Sequence, residues 1–319
     1  MDIDNSRGSA FRFCPWKYYE QYERKHPDGG EGVEPNPKPG EAYSPLQFGD
    51  RMHQLLETHY RTIQQGLPEP LWEYPAHLNG SLEDEAQLTM AAYRARYPDE
   101  QLNIVDVERT FRVALPNLCP SCYNGHGVEK MDAMPQVVCD NCGHMFKNHR
   151  HSLIGKIDLV TRDFAGIIDI TDHKSEQRGA KSNLPQKWAA RDQASLYLWA
   201  ARKIYGGPVG NFYVNVITRQ SPQGQVPPSF PEERQKLERT ALQMEVAIRD
   251  IIIVADDIER YRAIFGEAPW PANRENCYGW GYCEYWPLHG YGEDVQDILE
   301  HRYQPKKEYL NLAGVRIIQ

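Results

Sequence analysis

The sequence lacks any long apolar run, and this absence excludes a transmembrane helix. No hydrophobic stretch approaches the roughly 18 consecutive apolar residues that a transmembrane helix requires. The N-terminal segment MDIDNSRGSAFRF also lacks the basic start and apolar centre of a secretory signal. We therefore expect a cytoplasmic protein that has no membrane partner.

The sequence also lacks an excess of basic over acidic residues. The chain carries 36 Lys and Arg against 44 Asp and Glu, which gives a net charge of −8. This balance argues against a protein that coats nucleic acid without specificity, although a local basic groove can still bind phosphate. With 319 residues, of which 40% are hydrophobic and 25% charged, the composition is typical of a globular enzyme with a buried core.

The count of seven cysteines is odd, which disfavours a disulfide framework. Four of the cysteines form two C-x₂-C pairs, CPSC and CDNCG, with sixteen residues between the pairs. Two such pairs predict a structural zinc site, because four thiolates complete a tetrahedron. The predicted ligands are Cys119, Cys122, Cys139 and Cys142. The polar segment between them has little apolar sequence of its own, so the metal would supply its stability.

The spacing of apolar residues predicts helices and strands in an order typical of an α/β fold. Helices are expected directly after Pro15 and over Leu46–Gln65, Leu82–Tyr97, Leu184–Tyr205 and Pro231–Phe265. Strands are expected over Asn103–Leu115, Ser152–Thr161, Gly166–Lys174 and Asn211–Thr218. The second and third of these strand segments follow each other closely, which predicts a hairpin.

This hairpin carries the residues from which chemistry is expected. Alternate residues of a strand share a face, so Asp172 and Lys174 lie together and Asp158 joins them if the strands pair. Two carboxylates can bind Mg²⁺ or Mn²⁺ for phosphodiester hydrolysis, and a lysine can neutralise developing charge. Asp169 points to the opposite face and is interpreted as structural. The alternative interpretation is an ordinary hairpin with a charged, solvated face.

The hairpin and its neighbours resemble the PD-(D/E)XK nuclease superfamily, in its RecB-like exonuclease branch with CRISPR-associated and phage-encoded members. Five segments match in the expected order: SAFRFCPWKYYEQY, FGDRMHQLLE, GKIDLV, DITDHKS and DQASLYLWA. The resemblance implies a restriction-endonuclease-like α/β core, which is a mixed central sheet flanked by helices. To this core the chain adds a zinc-ribbon insertion and a C-terminal cap that contains cysteines.

The resemblance also implies roles for individual residues. The implied catalytic residues are His53, Asp158, Asp172 and Lys174. The histidine and the two aspartates would bind Mg²⁺ or Mn²⁺, and the lysine would position or activate water. Gln193 and Tyr197, four residues apart on one helix face, would hold the substrate strand. By spacing alone, a lone helical histidine is more often a surface or capping residue. Glu108 is either an outer carboxylate or a solvated strand residue.

The remaining cysteines, Cys14, Cys277 and Cys283, match part of a second metal pattern. In the resembling exonucleases one N-terminal and three C-terminal cysteines hold a [4Fe–4S] cluster. In this sequence His289 stands where the last of those cysteines is expected. The gap between Cys277 and Cys283 is also wider than the two-residue gap common in the CRISPR-associated members. Three alternatives remain open: an iron–sulfur cluster with one histidine ligand, a Cys₃His zinc site, or packing without metal.

The resemblance predicts a DNA exonuclease that acts on single strands or duplex ends. The settings it implies are recombination, repair, phage DNA metabolism in the host cytoplasm, or CRISPR spacer acquisition, with proteins of those pathways as partners. Two rivals are an inactive nuclease fold that only binds DNA and a zinc-ribbon adaptor. The expected domains are a helical part over 1–116, the zinc ribbon over 117–146, the nuclease core over 147–225 and a cap over 226–319.

Overall fold

Helices and strands follow the apolar periodicity of the sequence in a computed structural model of the chain. The structure describes residues 1–36, 43–68, 81–98, 100, 102–122, 127–128, 136–147, 151–176, 184–219, 228–231, 233–277, 283–289, 295–307 and 310–319. The helices are α1 (Asn5–Phe13), α2 (Pro15–Tyr22), α3 (Pro45–Gln64), α4 (Leu82–Arg96), α5 (Leu184–Ala189), α6 (Gln193–Tyr205), α7 (Ala241–Phe265) and α8 (Val295–Arg302).

Strands of three sheets accompany these helices. They are β1 (Asp2–Ile3), β2 (Val33–Pro35), β3 (Ile104–Ala114), β4 (Gly127–Val128), β5 (Gln136–Cys139), β6 (Met145–Lys147), β7 (Ser152–Arg162), β8 (Ile168–Glu176), β9 (Val209–Thr218), β10 (Gln235–Leu237) and β11 (Tyr303–Pro305). The main sheet has the order β1-β7-β8-β9-β10, and β3 also pairs with β7. Strands β7 and β8 are antiparallel, whereas β8 and β9 are parallel. The predicted mixed α/β sheet is confirmed.

The chain divides into two compact units. The first contains Met1–Asn36, Arg112–Gly155 and Glu245–Gln319, and the second contains Pro37–Phe111 and Lys156–Met244. Every residue of the predicted nuclease site belongs to the second unit, and all seven cysteines belong to the first.

In the second unit, helices cover both faces of the sheet. On one face, Leu159 of β7 and Ile217 of β9 share an apolar cluster with α3 and α4. The cluster residues of these helices include Phe48, Met52, Leu55, Leu56, Tyr60, Ala86, Met90 and Tyr93. On the opposite face, the ring of Tyr197 in α6 packs edge-on against Phe111 and Phe212. Phe212 and Ile217 are an odd number of residues apart on β9, which is why they serve opposite faces.

Helix α3 begins at a capping box and passes very close to the sheet. The hydroxyl of Ser44 accepts from the N–H of Gln47, and the Gln47 side chain accepts from the N–H of Ser44. One turn later, a Cβ added at Gly49 would lie 3.1 Å from Oγ of Ser175 on β8. Glycine therefore permits the approach that brings the next turn of α3, with His53, to the strands.

The predicted single helix over Leu184–Tyr205 is wrong, because the structure contains α5 and α6 with a break between them. Arg239 explains the break. Its guanidinium donates to the carbonyls of Ala189 and Arg191, at 2.7 and 3.4 Å, and to Oγ of Ser195 at 3.1 Å. Because the arginine satisfies these carbonyls, the backbone does not need to continue the helical hydrogen bonds there.

The predicted helix over Pro231–Phe265 is wrong in its first part. Gln235–Leu237 instead forms β10, which pairs with β9, and α7 starts only at Ala241. A second capping box fixes this start, since Thr240 and Gln243 exchange side-chain and backbone hydrogen bonds. The T-x-x-Q spacing is visible in the sequence and marks the true beginning of the helix.

The first unit contains two small sheets beside its helices. Strands β4, β5 and β6 form an antiparallel three-stranded sheet around the four-cysteine segment. Strand β11 pairs with β2 and adjoins an apolar cluster of Val33, Tyr285, Leu288, Ile298, Leu299 and Tyr303. No helix in the described part of the chain is both long and apolar enough to cross a membrane.

Candidate active site

The two hairpin aspartates lie where β7 and β8 cease to pair. The paired residues run from Arg162 and Ile168 to Leu159 and Thr171, so Asp158 and Asp172 come next. Oδ2 of Asp158 accepts a hydrogen bond of 2.7 Å from the backbone N–H of His173. The Asp158 carboxylate thus accepts the kind of hydrogen bond that a backbone carbonyl accepts where β7 and β8 pair. Both aspartate side chains are buried, with 6% and 5% exposure.

His53 reaches the same place from α3. Its Nδ1 lies 3.6 Å from Oδ1 of Asp158 and 3.5 Å from Oε1 of Glu108. One ligand atom from each of these three residues can be chosen such that all lie within 4.8 Å of one another. Nδ1 of His53 is buried and makes no well-aligned hydrogen bond to a described residue. An imidazole nitrogen among carboxylate oxygens is a donor set that fits Mn²⁺ or Mg²⁺.

Glu108, whose role the sequence left open, lies directly beside His53 and Asp158. Its side chain is only 6% exposed and forms an ion pair with Lys156, so it is not a solvated strand residue. Its φ of 53° is the only positive φ of a non-glycine residue among those described. Such a conformation disturbs the strict alternation of a strand. The alternation of residues along a strand therefore does not predict which way the Glu108 side chain points. Nothing in the sequence indicated that Lys156 would pair with it.

Lys174 sits beside Asp172 on β8. Its Nζ lies 2.8 Å from Oδ2 and 3.1 Å from Oδ1 of that aspartate. The ammonium also lies 5.7 Å from the centre of the Trp188 ring. The lysine thus carries a positive charge to the edge of the carboxylate group while a quarter of its side chain remains exposed.

The two predicted residues of α6 have different environments. Gln193 donates from Nε2 to Oδ1 of Asp172 at 2.8 Å, which fixes the orientation of that carboxylate. Tyr197 lies one turn farther along, where its ring centre is 5.5 Å from that of Phe111 and 6.3 Å from that of Phe212. Asp169 accepts from the backbone and side chain of Asn211, in line with the structural role expected of it.

Crowded acidic groups shift the proton affinities in this site. Burial raises the pKa of Asp158 to about 6; His53 opposes this rise, and the nearby carboxylates of Asp172 and Glu108 add to it. Burial lowers the pKa of His53, but Asp158 and Glu108 outweigh it and raise the pKa to about 9. A compact negative cluster of this kind attracts positive charge, which a proton or a divalent cation can supply.

The four cysteines of the two C-x₂-C pairs converge. Sγ of Cys119 lies 3.7 Å from Sγ of Cys142, and Sγ of Cys122 lies 3.6 Å from Sγ of Cys139. A tetrahedron with Zn–S distances of about 2.3 Å has edges of about 3.8 Å, so the spacing fits zinc. Backbone N–H groups of Asn141 and Cys142 point at Sγ of Cys139 from 3.4 Å.

The other cysteine group is less convergent. Cys14, Cys277 and His289 lie near Asn273 and Trp16, where Sγ of Cys14 accepts from the Asn273 N–H at 3.3 Å. Together with Cys283, they are not among the sets of described residues whose ligand atoms all lie within 4.8 Å. Nε2 of His289 is buried without a hydrogen-bond partner in the described part of the chain.

One family of known proteins matches most of the chain. A sequence model of the PD-(D/E)XK nuclease superfamily matches residues 5–288. Among solved structures, that of the protein SSO0001 is similar at 11% identity, over 67% of this chain and 84% of that one, with a TM-score of 0.29. A TM-score this low supports no argument about this chain. No curated protein matches the sequence.

The crowding of carboxylates predicts that Asp158→Asn stabilises the metal-free protein. Because the pKa of Asp158 is raised, keeping its carboxylate ionised at neutral pH lowers the free energy of unfolding. Asparagine removes this charge and still offers an oxygen that accepts from the His173 N–H. We expect the free energy of unfolding, measured by urea denaturation with EDTA, to rise by roughly 1–3 kcal/mol. The control is Asp169→Asn, which loses a charge that accepts two hydrogen bonds and should give no gain. An Asp158→Asn protein less stable than the wild type would contradict the prediction.

Proposed function

The chain belongs to the PD-(D/E)XK nuclease superfamily, and from this premise we propose that it is a divalent-metal-dependent nuclease that hydrolyses phosphodiester bonds of DNA. One observation carries the proposal. One ligand atom each from His53, Glu108 and Asp158 lies within 4.8 Å of the others, and Asp172, paired with Lys174, comes just past the last pair of β7 and β8. Such groups can hold a divalent cation and neutralise charge on a phosphate, and metal-assisted phosphodiester hydrolysis uses both effects.

In this proposal His53, Asp158 and Asp172 hold Mg²⁺ or Mn²⁺. The buried Nδ1 of His53, without a well-aligned partner in the described part of the chain, supports its assignment as a ligand. When bound, such an ion lowers the pKa of water and stabilises charge on the phosphoryl oxygens. Glu108 adds a further carboxylate beside His53, and its ion pair with Lys156 partly offsets the extra negative charge.

Other side chains of the site orient the metal ligands and neutralise charge on the substrate. From beside Asp172, Nζ of Lys174 can hold the attacking water or balance charge on the reacting phosphate. Gln193 keeps Asp172 in one orientation through its hydrogen bond. Gln193, with Tyr197 one turn farther along α6, contributes to holding the substrate strand.

We further propose exonuclease action on single strands or duplex ends. Support for this narrower activity is the resemblance of five ordered segments to the RecB-like branch. DNA recombination, DNA repair and phage DNA metabolism are the settings that such an activity serves, and their proteins are the proposed partners.

Cys119, Cys122, Cys139 and Cys142 are proposed to hold structural zinc, because their sulfur spacing fits a ZnS₄ tetrahedron. For the group of Cys14, Cys277, Cys283 and His289 the proposal is a second metal, either an iron–sulfur cluster or zinc. The buried, unpartnered Nε2 of His289 supports a ligand role within the described residues.

The nuclease proposal predicts that Asp172→Asn reduces metal-dependent DNA digestion by roughly 100-fold or more. Removing the charge weakens cation binding and frees Lys174 from its partner. The measurement is release of nucleotides from end-labelled linear DNA in Mn²⁺, with a covalently closed circle as a second substrate. An exonuclease digests the linear DNA and spares the circle.

The matched control is Asp169→Asn, which removes a carboxylate from the opposite face of the same strand. It should digest DNA at nearly the wild-type rate. Equal digestion by the Asp172→Asn protein and the wild type would contradict the assignment of the active site. Digestion that persists in EDTA would contradict the proposed dependence on a metal ion.

The zinc proposal predicts one zinc per chain at the four-cysteine site. Cys139→Ser should lose that zinc, because one of four thiolates is gone, and should unfold the small β4–β6 sheet. Elemental analysis of purified protein for zinc and iron provides the measurement. Cys283→Ser is the comparison variant, and it should keep the ribbon zinc while losing any metal of the second group. Zinc retained in full by Cys139→Ser would contradict the assignment.

A further inference from the structure

Three cations surround one buried indole next to the candidate active site. Trp188 of α5 is only 5% exposed. The charged ends of Lys174, Lys187 and Arg191 lie 5.7, 4.8 and 4.5 Å from the centre of its ring. Cations over an aromatic face are attracted by its electron density, which offsets part of their mutual repulsion. Trp188 therefore gathers positive charge at the place where Lys174 meets Asp172.

The three cations differ in their acidic partners. Lys174 is paired with Asp172, and Lys187 forms a 2.5 Å ion pair with Glu176. Arg191 is exposed, and no carboxylate among the described residues lies within ion-pair distance of it. Its guanidinium presents a fork of N–H donors that matches phosphate oxygens. Of the three, Arg191 is the cation whose charge is free to meet an anionic ligand.

The backbone that carries Arg191 is held firmly. Arg239 donates to the carbonyls of Ala189 and Arg191 itself and thereby fixes the turn between α5 and α6. Two residues after Arg191, Gln193 is tied to Asp172 by its 2.8 Å hydrogen bond. Lys174 and Arg191 share the Trp188 ring as well. The position of Arg191 relative to the carboxylates is thus set by contacts on both sides of it.

We propose that Arg191 binds the backbone phosphate adjacent to the phosphate being hydrolysed, and that Trp188 holds it in place for that contact. The ligand is one strand of a polynucleotide, recognised through its phosphate rather than its bases. Arg191 is a substrate-binding residue that sets which phosphodiester lies at the carboxylates. This inference rests on the proposed nuclease function and specifies how its substrate is positioned.

The test compares Arg191→Ala with the wild type in binding a labelled single-stranded oligonucleotide. Fluorescence anisotropy is measured in Ca²⁺ over a range of salt concentrations, and thermal melting verifies that the variant is folded. Loss of one charge-assisted phosphate contact should weaken binding about tenfold. It should also lower the slope of log K against log salt by about 0.7. Arg191→Lys, which keeps the charge, should retain most of the slope.

Lys203→Ala is the matched control, because Lys203 also lies over an indole, 5.9 Å from the centre of the Trp199 ring. It lies ten residues beyond Gln193 in α6, which is about 15 Å along the helix. Its removal should leave both affinity and slope unchanged.

Oligonucleotides with a single neutral methylphosphonate identify the phosphate that Arg191 contacts. The wild type should be sensitive to neutralisation next to the cleaved bond, and Arg191→Ala should lose that sensitivity at this one position. Wild-type affinity and slope in Arg191→Ala, or equal sensitivity of both proteins at every phosphate, would overturn the inference alone. Failure of the wild type to bind the strand or to cleave it in Mn²⁺ would instead overturn the nuclease function itself.

Discussion

Carboxylates held close together at a buried strand end are the constraint on which this molecule depends. Asp158 and Asp172 repel each other, and Glu108 adds a third negative charge nearby. Burial makes each charge more costly, and His53 and several hydrogen-bond donors offset part of that cost. These donors are the His173 N–H, the Gln193 amide and the ammonium of Lys174. A bound cation would complete this balance, and this charge requirement links the fold to its proposed chemistry.

The neighbouring elements bring their side chains to these carboxylates through contacts of their own. Helix α3 approaches the sheet where Gly49 leaves room beside Ser175, and His53 follows one turn later. Helix α6 covers the other face and supplies Gln193, while the Arg239-bound turn before it carries Arg191. Apolar packing of α3 and α4 on one face, and of Tyr197 on the other, holds these polar contacts in register.

Much of this arrangement was predictable from the sequence, since the apolar periods mark α3, α4, β3 and the hairpin within a few residues. The break between α5 and α6 was not, because it depends on Arg239, which lies 48 residues beyond Arg191. The sequence left Glu108 open between an outer carboxylate and a solvated strand residue, because neither its positive φ nor its ion pair with Lys156 can be read from a strand pattern. The capping box at Thr240 was a readable signal that the long apolar period obscured. Local patterns thus predicted elements, while contacts distant in sequence determined the details of the site.

The central claim is that His53, Asp158 and Asp172 together bind one divalent cation. Crystals grown with Mn²⁺ and measured for anomalous scattering test it most directly, since manganese is located without reference to any activity. The account predicts an anomalous peak within about 2.5 Å of a ligand atom from each of the three residues. Well-ordered crystals with no peak there, or with manganese bound only elsewhere on the chain, would contradict it.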